Sequence, residues 1–159
     1  MNIGGLIYNP TIEHFFKIDK YSFAKFFLNK IKLYSLKVNA NTGWQNSGIP
    51  INASNQQVNV LAQGKWSISG FLNNVDALGT KGYKEYSLFP DLQHGSLIMS
   101  LDSGKSAVPI DHWWKGTVRE DSACLTQPVE DLNTNLSFRI NDTDTRNNSG
   151  QIDVTVLVW

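Results

Sequence analysis

Ten consecutive residues, Asn141-Asp142-Thr143-Asp144-Thr145-Arg146-Asn147-Asn148-Ser149-Gly150, gather two carboxylates, three carboxamides and three hydroxyls. These are hard oxygen donors, the ligand type that Ca²⁺ takes six to eight of, with backbone carbonyls and water completing the shell. Asp142 and Asp144 are two apart, as are Asn141 and Thr143, and in a loop such i/i+2 oxygens can converge on one ion. The stretch does not follow the EF-hand pattern, which wants Gly at its sixth position and Glu at its twelfth; counted from Asp142 these are Asn147 and Asp153. The competing reading is a solvated Asn/Asp turn, since both residue types favour turns on their own account. A metal with open positions could also accept the hydroxyls of a sugar diol, which would give binding without catalysis.

Catalytic arrangements are harder to find. His14, His94 and His112 share no metal-ligand spacing, and no G-x-S-x-G elbow or Gly-rich phosphate cradle occurs. Cys124 lies in a polar stretch with no local His. Glu120/Asp121 and Glu130/Asp131 are adjacent pairs, which point apart in extended backbone. The expectation is therefore a protein that is not an enzyme. Five tryptophans offer a different chemistry, stacking on the apolar face of a sugar. Trp66 and Trp159 sit in strand-like segments and read as core. Trp113-Trp114 reads as a surface pair with one ring exposed, because neighbours in a strand face opposite ways.

Strands must hold these groups. Leu136–Ile140 and Ile152–Val158 flank the oxygen-rich loop, with Ile152, Val154, Val156 and Val158 on one face. Gln57–Ala62 alternates, Lys65–Ile68 continues toward a second strand, and Ser96–Leu101 and Ala107–Ile110 are further short strands. Asn39–Gly43, Asn46–Pro50 and Asn52–Gln56 read as turn clusters, and residues 70–85 and 119–135 as loops. Short strands joined by polar turns without a βαβ rhythm predict an all-β sandwich over residues 36–159. Residues 1–35 differ: Ile12, Phe15, Phe16, Phe23, Phe26, Phe27 and Ile31 recur at helical spacing after Thr11, a good N-cap. This predicts an N-terminal amphipathic helix that binds a membrane surface or a partner in a larger assembly, or that docks on its own domain or a second copy.

Composition narrows the classes. The 159 residues include 41% apolar and 18% charged, enough for one domain with a sizeable core. Formal net charge is zero, which argues against nucleic-acid binding, although residues 1–40 carry six lysines against only Glu13 and Asp19. No run of eighteen apolar residues exists, so no transmembrane helix is expected. The start of the chain lacks the features of a signal peptide, and a single cysteine excludes an internal disulfide. A cytoplasmic location, or export without a classical signal peptide, is expected.

From about Leu36 onward the chain resembles the calcium-dependent galactose lectins of the LecA (PA-I lectin) type. The resemblance rests on Val38-Asn39-Ala40-Asn41, Gly43-Trp44-Gln45-Asn46-Ser47-Gly48-Ile49, Val58–Trp66, Asp76-Ala77-Leu78-Gly79, Gly95-Ser96-Leu97-Ile98-Met99 and Leu136–Gly150, in that order. It implies a jelly-roll-like β-sandwich of galactose-binding-domain type. It also implies Ca²⁺ held by Asp142, Asn147, Asn148 and the carbonyls of Thr145 and Ser69, with galactose hydroxyls on the same ion and bonded to Asp142, Thr145 and Asn147. Trp113 or Trp114 would add stacking. The loop is two residues shorter than in those lectins and contains Asp144, an additional donor. Their His-Pro-x-Gln sugar-contact segment is replaced here by Thr80-Lys81-Gly82-Tyr83-Lys84-Glu85-Tyr86-Ser87. Calcium therefore transfers more directly than galactose. The alternative expectation is a structural or interaction module that keeps the sandwich and binds no sugar.

Overall fold

The structure, a computed structural model, describes residues 31–52, 56–102, 104–117 and 134–159. The expected N-terminal helix over residues 11–30, Cys124 and the Glu120/Asp121 and Glu130/Asp131 pairs lie outside the described residues. One compact unit spans Lys32–Trp159. Its strands are β1 (Lys32–Asn39), β2 (Gln45–Ile51), β3 (Gln57–Ile68), β4 (Leu72–Val75), β5 (Leu97–Ser100), β6 (Val108–Ile110), β7 (Trp113–Thr117), β8 (Thr134–Ile140) and β9 (Ser149–Val158). All named pairings are antiparallel.

The strands form two sheets. In one, the order is β1-β9-β3-β4, with β7 also paired to β3; in the other it is β2-β8-β5-β6. Alternation decides which side chains face inward. Val154, Val156 and Val158 from β9, Val58, Val60 and Ala62 from β3, and Leu136, Phe138 and Ile140 from β8 are all at most 2% exposed and share one core cluster. Each large side chain buried to this degree contributes about 1.5–3 kcal/mol against exposure. The architecture is the all-β sandwich that the sequence pattern implies.

Three elements differ from expectation. β3 is one strand of 12 residues, where Gln57–Ala62 and Lys65–Ile68 read as two. The reason is parity: Val58, Val60, Ala62, Trp66 and Ile68 keep the inward face on both sides of Gly64, and pairing with β9 runs unbroken from Val58 to Ser67. A Cβ at residue 64 would lie 3.2 Å from the Gln151 carbonyl oxygen, so the glycine allows close approach rather than ending the strand. β2 occupies a segment that reads as turns. It is an edge strand, where Pro50 is tolerated, and its register shifts between Asn46 and Pro50. The Asn46 side chain accepts from the Gly48 N–H, and Ser47 Oγ donates to the Leu136 carbonyl at 2.6 Å, stitching the irregularity to β8. β4 likewise lies within residues 70–85, which read as loop.

Trp66 joins the layers. Its indole is 2% exposed and donates to the Gly95 carbonyl at 2.9 Å. Gly95 has φ +68°, and a Cβ there would sit 2.0 Å from Ile68 Cδ1, so no other residue fits without displacement. The Gly95 N–H in turn donates to the Asn141 carbonyl at 2.9 Å. A chain of contacts thus runs from the five-stranded sheet to the end of β8, where the oxygen-rich loop begins. That loop passes from β8 in one sheet to β9 in the other.

Candidate functional site

Asn141 anchors the loop. Its fully buried carboxamide accepts from the Phe89 N–H (2.8 Å) and donates to the carbonyls of Phe89 (3.1 Å), Gln93 (3.0 Å) and Leu92 (3.4 Å). It is a strut, with its oxygen spent on backbone. Asp142, the next residue, is 4% exposed. One carboxylate oxygen accepts from the Asp144 N–H (3.0 Å) and the other from Asn148 Nδ2 (2.9 Å). Asn148, also buried, accepts on Oδ1 from the Ser69 N–H (3.1 Å), and its Nδ2 reaches the Ala40 carbonyl at 3.4 Å. Ser69 follows β3 in the left-handed region at φ +53°, a conformation a non-glycine residue adopts at a cost.

The Asp142 carboxylate has amide donors and no cation of its own. The ion pairs among the described residues are Lys37–Asp153, His112 with Asp76 and Asp111, and Arg146–Asp144, none of which involves Asp142. The Arg139 guanidinium lies near but donates through Nη2 to the Asp142 backbone carbonyl (2.8 Å), and its Nε is buried without a partner. Burial lowers the Arg139 pKa, and Asp142 opposes that shift. Buried charges in proteins are ordinarily paired or bound to metal. A buried carboxylate held by neutral donors beside carboxamides fits a hard cation. Among the described residues no three His, Cys, Asp or Glu side chains converge. A cation here would therefore rest on one carboxylate together with carboxamide and carbonyl oxygens.

The remaining expected donors divide. The segment Thr145–Asn147 is a 3-10 turn, with the Thr145 carbonyl accepting from the Asn148 N–H (3.2 Å). Asn147 is exposed at the surface of the loop. Asp144 caps the turn, and its carboxylate is gripped by Arg146 through Nε (2.8 Å) and Nη2 (2.9 Å). These bonds hold the Asp144 pKa down at about 2. Asp144 is thus committed to its neighbour two residues on, not turned to Asp142. The structure brings Asp142, Asn148 and Ser69 into direct contact and places Thr145 and Asn147 on the same turn.

Trp113 and Trp114 do not join them. In β7 they pair with Leu61 and Val60, and Leu61 precedes Ser69, in the turn after β3, by eight residues, about 26 Å at strand rise. Trp113 is 41% exposed, while Trp114 packs against the core. A cleft of about 340 Å³ lined by Leu78, Asp91, Gln93, Pro109 and Asp111 has none of Asp142–Asn148 in its lining, and it touches the loop only through Leu92 and Gln93, whose carbonyls accept from Asn141.

Two neighbours of the loop were not legible in the sequence. The Thr143 N–H and Oγ1 both donate to the Tyr86 carbonyl (2.9 and 3.0 Å), docking the 3-10 turn Lys84–Tyr86 on the loop. Behind that turn, Ser87 Oγ bonds the Tyr83 carbonyl and lies 3.2 Å from His94 Nδ1, and the Tyr83 ring is 5.8 Å from the imidazole. Burial lowers the pKa of His94, against smaller opposing pulls from Asp142 and Glu85. These partners are tens of residues apart, so no local spacing announces them.

An all-β sandwich of two antiparallel sheets, with a buried-carboxylate loop at one sheet-to-sheet crossing, is the class that this geometry defines at the level of fold. Among solved structures, the chain is similar to the one described as "EclA N-terminal domain; PllA-like lectin". The TM-score is 0.56 at 20% identity over 79% of this chain and 96% of that one. No family model and no curated protein matches the sequence.

Proposed function

We propose that this chain is a carbohydrate-binding module whose sugar contact runs through Ca²⁺ at the Asp142–Asn148 loop. The observation that carries the reading is the Asp142 carboxylate, 4% exposed and bonded by neutral donors alone. Asp142, Asn147, Asn148 and the carbonyls of Thr145 and Ser69 would hold the ion, and the ion would supply open positions for vicinal sugar hydroxyls. For Asn148 to ligate, its carboxamide would turn so that Oδ1, now bonded by the Ser69 N–H, replaces the Nδ2 that faces Asp142. The lectin fold of the solved neighbour supports the same reading. A galactose-type sugar is the finer proposal, taken from the resemblance to the LecA-type lectins.

The test is calcium titration by calorimetry on the wild type and on Asp142→Ala, followed by a glycan array with and without chelator. Heat in the wild type only, and glycan binding abolished by chelator, are expected. Absence of heat in the wild type ends the metal reading, and glycan binding that persists in chelator ends metal-mediated recognition. One observation favours a second reading, a structural or interaction module: Asp142, Asn148 and Ser69 already satisfy one another without an ion. An array with no bound glycan would favour it.

A further inference from the structure

Six large hydrophobic side chains are exposed among the described residues: Leu33, Phe71, Leu78, Tyr83, Tyr86 and Trp113. Three of the six lie on the two turns that are hydrogen-bonded to the Asp142 loop. Single exposed hydrophobics are ordinary, but aromatic side chains gathered around one loop mark a contact surface. Phe71 is 90% exposed and stands two residues after Ser69, whose N–H is 3.1 Å from Asn148 Oδ1. Two residues of chain reach at most about 7 Å, so the Phe71 backbone lies beside the loop. On the other turn, Tyr86 is 56% exposed, and its carbonyl takes both Thr143 donors.

The three aromatics are not equivalent. Tyr83 is engaged locally, against His94. Phe71 and Tyr86 are fixed by their backbones instead: the Phe71 N–H donates to the Ile68 carbonyl, and the Tyr86 N–H to the Tyr83 carbonyl. Their position is set by main-chain bonds while their rings are left to solvent. That arrangement spends side-chain hydration on nothing inside the fold.

Resting on the carbohydrate reading above, we infer that Phe71 and Tyr86 form an aromatic rim that stacks on the C–H faces of a saccharide held at the Asp142 loop. The ligand this favours is an oligosaccharide or a glycoside, whose second ring or apolar aglycone reaches beyond the hydroxyls bound at the loop. A rim set by backbone bonds gives specificity by shape, where hydrogen-bonding side chains would give it by hydroxyl pattern.

The experiment measures calcium affinity and glycan affinity in parallel on wild type, Phe71→Ala, Phe71→Leu, Tyr86→Ala and Tyr86→Phe. The probes are methyl galactoside and the glycan bound most tightly on the array. Neither aromatic uses its side chain to hold the loop, so calcium affinity stays unchanged in all four variants. Phe71→Ala and Tyr86→Ala each weaken glycan binding by about fivefold, as expected for loss of a stacking contact. Phe71→Leu loses nearly as much, and Tyr86→Phe stays within about twofold, because the face of the ring does the work. Upfield shifts of sugar C–H protons on binding to wild type disappear with Phe71→Ala. Glycan binding unchanged in both alanine variants overturns the rim while leaving the calcium-lectin reading intact. A wild type that binds calcium but no glycan overturns both.

Discussion

The Asn141 carboxamide sets where Asp142 sits, and its removal has a calculable effect. Three of its hydrogen bonds are 3.1 Å or shorter, and the side chain is fully buried. At about 1 kcal/mol net per bond, Asn141→Ala costs about 3 kcal/mol. For a unit the size of Lys32–Trp159 this lowers the unfolding midpoint by roughly 12 °C, at about 4 °C per kcal/mol. Asn141→Asp is the sharper probe. One carboxylate oxygen still accepts from the Phe89 N–H, but the other replaces an NH₂ and faces the Phe89 and Gln93 carbonyls. The ionised form is repelled and buried, so its folded-state pKa rises above the ordinary value of about 3.9. Such a carboxyl is tolerated while protonated. The variant is then most stable, relative to wild type, below about pH 4, and loses stability as pH climbs from there through the raised folded pKa. Denaturant unfolding of wild type, Asn141→Ala and Asn141→Asp between pH 3.5 and 8 measures both effects. An Asn141→Ala cost below about 1 kcal/mol, or an Asn141→Asp difference from wild type that is flat with pH, would refute the strut.

Other outcomes follow from the same geometry. Arg146→Ala releases the Asp144 carboxylate and removes a positive charge beside the loop, so calorimetry should give calcium affinity raised roughly two- to fivefold. No change would mean that Asp144 cannot turn to the site. Gly95→Ala places a methyl against Ile68 at a left-handed backbone position and should cost about 2–3 kcal/mol or more in denaturant unfolding. Buried His94 has a lowered folded pKa, so its neutral form favours the fold above the unfolded value of about 6.5, and that contribution is lost as pH falls from there toward the folded pKa. Comparing the pH dependence of unfolding for wild type and His94→Gln should show a shallower fall below pH 6.5 in the variant, and parallel curves would remove His94 as the cause.

The sheet was readable where alternation was clean. β9 presents Ile152, Val154, Val156 and Val158 inward as its period of two demands. β2 was not readable, because its Asn, Gly and Pro residues spell a turn while its pairing to β8 makes an edge strand. At the site, the oxygen donors of the loop were visible by composition; the resemblance assigned the Ser69 carbonyl to the ion, and the structure shows the Ser69 N–H bonded to Asn148 Oδ1. What composition could not separate was the work of each donor. Asn141 and Asp144 carry the same functional groups as their neighbours, yet one is consumed by the Phe89–Gln93 backbone and the other by Arg146. Partner choice of that kind depends on the tertiary path, as does the 26 Å or so that separates the Trp113-Trp114 pair from Ser69.

The passage of the Asp142 loop from β8 to β9 has a mechanical meaning. The loop is a hinge pin between the two layers of the sandwich, and Trp66, Gly95 and Asn141 seat that pin from both sides. An ion or ligand taken up there fastens one layer to the other instead of quieting a single surface loop. By mass action its binding energy then opposes every opening that parts the layers. Amide hydrogen exchange in β5 and β8 would slow together with that in β3 and β9, making the whole sandwich the sensor of what its loop holds.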